Sequence, residues 1–467
     1  LELIEVFTEY AGRMQPPPAW FHRGAIVGIM GGSEVVREVR GQLEALNTPV
    51  SGYWIQDWVG KRHTDLGTRM WWNWSLDRTT YPDWEDLVAE INAGGAEVLG
   101  YINPFLSDAS AAPGHDRNLF EEAKAQGYLT TWADGTPAEI DSGGFTGTLV
   151  DLTNPDARAW LRQVIVDQLI GNGMRGWMSD FGEALPFDAK VANGQASDVH
   201  NLFPELWAQV NREAIQQAGL EGEAMTFLRC GFTRSPRYAP MFWLGDQMVT
   251  WDEHDGLKSS ITGLLSGGMS GFSLNHSDIG GLIAMNRKLL GINVINYVRT
   301  QELFMRWAEM NAFTTAYRTH EGNSPGTSHQ FYSADETLQF FARFARVFAA
   351  LAPYRDQLFR EAAAHGWPVN RHPLLHYPND SQAANLRYQF MLGADFMIAP
   401  ITEEGATRGT TYLPDGGWVH LWSGATYGSN DGGRFVEVDA PLGQPPVFFR
   451  ESSAAGWAAY DAIAALD

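Results

Sequence analysis

Short apolar runs that end on a polar or acidic residue recur through the first two thirds of the chain, separated by stretches with helical periodicity. Strands alternating with amphipathic helices describe repeated βα units around a parallel sheet. Eight runs fit: residues 24–28 (GAIVG), 50–57 (VSGYWIQD), 97–101 (EVLGY), 175–180 (RGWMSD), 224–230 (AMTFLRC), 241–246 (MFWLGD), 271–276 (GFSLNH) and 315–320 (TAYRTH). Helical patterns lie between them, among them 84–91, 158–169 and 205–217. A ninth run, 148–152 (TLVDL), is set aside because only a loop separates it from the helix at Asp156. The pattern predicts an α/β fold, a (β/α)8 TIM barrel over residues 1–345. Beyond it the helical period gives way to strand and turn (FMIAPI, TTYLPDGGWVHLW, FVEVDAPL, PPVFFR), which predicts a helical junction and a small all-β C-terminal sandwich over 346–467.

Length agrees, since 467 residues exceed what one ordinary core organises. A formal net charge of -22 argues against a nucleic-acid partner, because an acidic surface repels a phosphate backbone. The one cysteine, Cys230, can form no intrachain disulfide, which fits a reducing compartment. No run approaches the roughly 18–20 apolar residues that span a bilayer, and the first ten residues (LELIEVFTEY) carry acids where a signal peptide carries bases. A cytoplasmic protein without a membrane partner is expected, with homo-oligomerisation left open.

Candidate chemistry sits at the ends of the runs. The active site of such a barrel lies at the carboxyl ends of its strands, and Asp180 and Asp246 each close an apolar strand. Two acids on one face suit glycoside cleavage with retention: one attacks the anomeric carbon, while the other protonates the leaving oxygen and then activates water. At the roughly 5–6 Å such chemistry needs, each charge would raise its neighbour's pKa, helped by an apolar wall of Trp177, Phe242 and Trp243. By spacing alone each Asp could equally cap the helix after its strand. The acids of WDEHDG at 251–256 are read as a solvated loop with a helix cap, so no metal is expected. The Gly pairs at 31–32 and 280–281 lack dinucleotide-binding spacing, so no cofactor is expected either.

The strings around these acids add more. WMSDFGE at 177–183, WLGDQ at 243–247 and NHSDIGG at 275–281 resemble, in order, three motifs of glycoside hydrolase family 31, and specifically its sulfoquinovosidase branch. RTHEG at 318–322 and the carboxyl-terminal GADFMIAPI and YLPDGGW extend the resemblance over nearly the whole chain. The resemblance implies Asp180 as nucleophile, Asp246 as acid/base, and Arg229, Asp278 and His320 in the sugar subsite. It implies that Gln56, beside Asp57, together with Arg69 and Trp72, matches the branch's sulfonate-binding residues. A sulfonate stays ionised and offers three acceptor oxygens, which suit a guanidinium fork and an indole N–H. Without the resemblance, Trp72 would read as core and Arg69 as a surface ion pair with Asp65 or Asp77.

Two positions depart from the branch. Met30 stands where it has a polar Gln or Lys, and Leu282 where it has a Tyr; Tyr297, in a longer segment after Leu282, is a candidate replacement hydroxyl. The family's usual amino-terminal β-sandwich is not represented in these residues. The expected function is hydrolysis of α-sulfoquinovosides, a small-molecule glycoside substrate. The alternatives are an α-glucosidase or α-xylosidase acting on a neutral sugar, and a non-catalytic carbohydrate-binding protein.

Overall fold

The computed structural model describes residues 1–64, 67–289, 292–429 and 432–466. Seven parallel strands form one sheet in chain order: β1 (Ala25–Gly28), β2 (Val50–Trp54), β3 (Glu97–Ile102), β4 (Gly176–Ser179), β5 (Met225–Leu228), β6 (Met241–Trp243) and β7 (Asn275–His276). The eighth run closes the ring without forming a full strand. Ile26 N–H donates to the Tyr317 carbonyl and Thr319 N–H to the Ile26 carbonyl, while Ile279 N–H donates to the Arg318 carbonyl. The segment 317–319 therefore bridges β1 to the chain leaving β7, which makes a closed (β/α)8 barrel. Its strands are buried and rich in Val, Ile, Leu, Phe and Trp, as parallel strands covered by helices must be. The TLVDL run falls outside the barrel, with Thr146–Leu149 in a small antiparallel sheet with Phe105–Leu106 and Ile140–Asp141.

Helices Asp335–Ala350 and Ala352–His365 follow the barrel, the first packing on Gln301–Asn311 and on the final helix, Ala454–Ala464. Next comes an antiparallel sheet of β8 (Asn370–Arg371), β9 (Phe390–Leu392), β10 (Phe396–Ile398), β11 (Gly416–His420), β12 (Thr426–Ser429) and β13 (Val447–Arg450), in the order β8-β9-β10-β13-β11-β12. Strand alternation splits its residues between two faces. Met391, Met397, Trp418 and Phe448 meet Leu413, Val436 and Val438 of the ribbon Arg408–Leu413/Arg434–Asp439, while Phe390, Leu392, Phe396, Ile398 and Phe449 join the main core. The C-terminal part is thus a small β-sandwich whose six-stranded sheet packs one face on the ribbon and the other on the main core. A buried ion pair pins the two together: Arg306 binds Glu309 at 2.9 Å and donates to the carbonyls of Ala406 and Ala440, and Glu309 accepts from Gly443 N–H. Among the described residues no helix is long and apolar enough to cross a membrane.

Candidate active site

Asp180 follows β4 directly, and Asp246 lies just beyond β6, after Gly245 at φ 80°. One guanidinium holds both. Arg229, immediately after β5 between them in the sheet, places Nε 3.2 Å from Asp180 Oδ1 and an Nη 3.1 Å from Asp246 Oδ2, and also binds Glu183 at 2.6 Å. Burial works against its charge, but the carboxylates of Asp180, Glu183 and Asp246 outweigh this and raise its pKa. An arginine in this position keeps two apposed acids from repelling each other apart.

The two acids differ in surroundings. Asp180 is buried, and its Oδ2 accepts the Tyr101 hydroxyl at 2.5 Å while Oδ1 accepts the Phe181 N–H at 2.8 Å. Burial pushes its pKa up to about 6, opposed by Arg229, Tyr101 and the Phe181 N–H and assisted by the Asp246 charge. Asp246 is more open, its side chain 37% exposed. Burial again raises its pKa, with Arg229 opposing and the charges of Asp278 and Glu183 assisting. Phe181 has φ 57°, a region that non-glycine residues rarely occupy and that marks local strain at a functional turn. Its ring lies 4.2 Å beneath the Arg229 guanidinium and its carbonyl accepts the Cys230 thiol, so the strained residue is clamped on both sides.

The carboxylates face a cavity of about 370 Å³, whose walls also carry Met30, Gln56, Lys61, Arg69, Leu282 and His320. Five of the sequence-predicted residues besides Arg229 thus come together there: Asp180, Asp246, Gln56, Arg69 and His320. His320 Nδ1 accepts the Gly322 N–H at 2.8 Å, so its proton sits on Nε2, a buried donor without a partner among the described residues. An unsatisfied donor in a cavity wall is suited to a sugar hydroxyl. Met30 and Leu282 line the same cavity, so both departures from the branch fall where substrate would lie.

Other expected residues are placed elsewhere. Trp177 is fully buried and donates its indole N–H to Asn211 on the helix Phe203–Gln217, as does the Ser179 hydroxyl. Strand alternation explains this: with Met178 and Asp180 turned inward, 177 and 179 must turn outward. Phe242 likewise packs on Phe272 and the buried Trp243 on Phe227, so none of the apolar wall expected from Trp177, Phe242 and Trp243 lines the cavity. Asp57 is completely buried, accepting from the Tyr81 hydroxyl at 2.5 Å and the Gly31 N–H at 2.9 Å and pairing with Lys61 at 2.8 Å. It positions its neighbours and is not part of the wall. Asp278 is also fully buried, in an ion pair with Arg318, which in turn binds His276. Trp72 stacks on Phe105 and meets Phe145 and Phe181 edge-on, forming an aromatic block beside the Asp180 turn. Tyr297 is 48% exposed and not in the wall.

Arg69 lies on the hairpin Lys61–Thr64/Gly67–Met70, which follows β2 and borders the cavity. The alternative partner Asp77 is engaged by Thr79 and Thr80, and Asp65 lies outside the described residues. Among the described residues no carboxylate pairs with Arg69, whose one hydrogen bond goes to the Thr68 carbonyl. Sequence reasoning missed Tyr101 and Lys61. Tyr101 was within reach, because it sits near the carboxyl end of β3 with alternation turning it inward.

The TIM-barrel domain of glycosyl hydrolases family 31 matches residues 17–357, and the family's C-terminal domain matches 366–454. The chain belongs to glycosyl hydrolase family 31. Among family 31 relatives, the sulfoquinovosidase of Escherichia coli is 40% identical over 98% of this chain, and that of Agrobacterium fabrum is 41% identical over 97%. The chain spans 65% and 66% of their respective lengths. A solved family 31 sulfoquinovosidase from E. rectale, bound to an aza-sugar inhibitor, superposes with a TM-score of 0.93 at 40% identity, covering 99% of this chain and 67% of that one.

Proposed function

We propose that this family 31 chain is a retaining α-glycosidase acting on α-sulfoquinovosides, in the cytoplasm, with residues 1–345 as its catalytic unit and 346–467 as its C-terminal unit. One observation carries the reading: Asp180 and Asp246, joined by one arginine, face a cavity whose wall also holds Gln56 and Arg69, which no carboxylate pairs with among the described residues. The similarity to two sulfoquinovosidases over almost the full chain supports it.

In the first step, Asp246 as general acid gives its proton to the glycosidic oxygen while Asp180 attacks the anomeric carbon; the carbon–oxygen bond breaks and the aglycone leaves as an alcohol. In the second, Asp246 takes a proton from water, whose oxygen attacks the anomeric carbon and releases Asp180. Arg229 fits the changing charge, since the two carboxyl groups exchange charged states while both remain on its guanidinium. A carbohydrate-binding protein would gain nothing from holding two apposed acids whose charges disfavour each other.

The test is hydrolysis of para-nitrophenyl α-sulfoquinovoside against para-nitrophenyl α-glucoside by the native chain and by Arg69→Ala. A preference for the sulfonated substrate that disappears in the variant is the expected result. Preference for the glucoside, insensitive to Arg69, would support the neutral-sugar reading, which the apolar Met30 and Leu282 in the wall favour.

A further inference from the structure

The hairpin that presents Arg69 brings a second cation to the same cavity. Lys61 pairs across the ladder with Met70, next to the pair Arg62 and Arg69, and Lys61, Arg69 and Met70 all line the wall. The Lys61 side chain is one-third exposed, yet its Nζ is anchored 2.8 Å from Asp57 Oδ2, on a carboxylate with no exposure. Asp57 is itself fixed by the Tyr81 hydroxyl and by the Gly31 N–H, in the loop that carries Met30. Among the described residues Asp57 is the one acid paired with Lys61. An ammonium has three N–H donors, so two remain for whatever occupies the cavity.

This arrangement differs from a surface lysine. A flexible ammonium loses rotamer entropy when it binds a ligand, whereas one already tethered to a buried carboxylate has lost most of it beforehand. Asp57 offsets much of Lys61's net charge, so the contribution of Lys61 is oriented, charge-assisted hydrogen bonding, while Arg69, with no carboxylate partner among the described residues, supplies the net attraction. The same wall is apolar at Met30 and Leu282, so an anion bound there lacks donors on those sides. Glu321, a second described carboxyl that Lys61 acts on, is bound by the Tyr332 hydroxyl, and burial pushes its pKa up to about 7, which weakens it as a competitor for the ammonium.

We propose that Lys61, positioned by Asp57, is a second cationic ligand for the substrate's sulfonate and supplies the donors that Met30 and Leu282 do not. The proposal rests on the functional reading above and adds to it a residue that sets specificity.

The test compares native enzyme with Lys61→Met, which keeps the stem and removes the donors, and with Lys61→Arg, on the sulfonated and neutral para-nitrophenyl glycosides. A charged hydrogen bond to a bound anion corresponds to a loss of about tenfold or more in kcat/KM for the sulfonated substrate, carried by KM. The glucoside should stay within about twofold, and Lys61→Arg should recover most of the loss. A structural role for Lys61 as counter-ion to Asp57 would instead lower Tm and reduce both substrates equally, which would overturn the proposal. Calorimetric binding of free sulfoquinovose against glucose reads the same subsite without turnover. If Arg69→Ala abolishes the sulfonate preference while Lys61→Met leaves it intact, this inference fails and the functional reading stands. If native enzyme shows no preference in either assay, the functional reading fails and takes this inference with it.

Discussion

Tyr101→Phe isolates the control of the proposed nucleophile. The Tyr101 hydroxyl donates to Asp180 Oδ2 at 2.5 Å and accepts from Asn103 Nδ2 at 3.2 Å, all in a buried setting. Phenylalanine keeps the ring and removes the donor. A hydrogen bond to a charged group contributes roughly 1.5–3 kcal/mol, and one pKa unit corresponds to about 1.4 kcal/mol. Losing it therefore raises the Asp180 pKa by about 1–2 units, less whatever water recovers at the vacated site. Burial already holds that pKa at about 6. A nucleophile works ionised, so activity falls as pH drops through its pKa, and a raised pKa moves this acid limb upward, to roughly pH 7–8. The assay is kcat/KM for a para-nitrophenyl α-glycoside across pH, with samples quenched in base so that product absorbs equally at every pH. An acid limb that stays near 6, or moves down, would refute the claim that Tyr101 keeps Asp180 ionised.

Arg229→Met should lower kcat by about a hundredfold or more, because it leaves two apposed acids without a shared cation; an unchanged kcat would detach Arg229 from the chemistry. His320→Ala should cost about tenfold or more in kcat/KM through loss of the free Nε2 donor, and calorimetric binding of the sugar product should weaken in parallel. Trp177→Phe should lower stability by about 1–3 kcal/mol in urea unfolding, since it leaves a void and a weakened Asn211 contact, while KM stays within about twofold; a large rise in KM would return Trp177 to the substrate site.

Much of this was legible in the sequence. The eight runs mark the barrel because parallel strands covered by helices must be apolar throughout, and two of the acids that end them, Asp180 and Asp246, border the cavity. The last run was readable as a position in the ring but not as a weak one, since residues 317–319 bond to both neighbours through single bridges and without an extended ladder. Trp177 was misplaced for a reason available at the start: once Asp180 faces inward, period-two alternation sends Trp177 outward. Asp57 and Asp278 were harder. Each belongs to a motif around the site, but whether a motif acid meets substrate or a buried cation depends on partners distant in sequence, Tyr81 and Lys61 for one and Arg318 for the other. Lys61 was hidden for the same reason, because its direction is set by a hairpin register and by an aspartate whose burial only the fold reveals.

The most direct measurement of the central claim is to trap the covalent intermediate with a fluorinated glycosyl fluoride of the sulfonated sugar and to map the label by mass spectrometry of peptides. The account predicts a single glycosyl adduct on the peptide containing Asp180, and none in Asp180→Asn. A label on Asp246 or Glu183, or one that persists in Asp180→Asn, would contradict it.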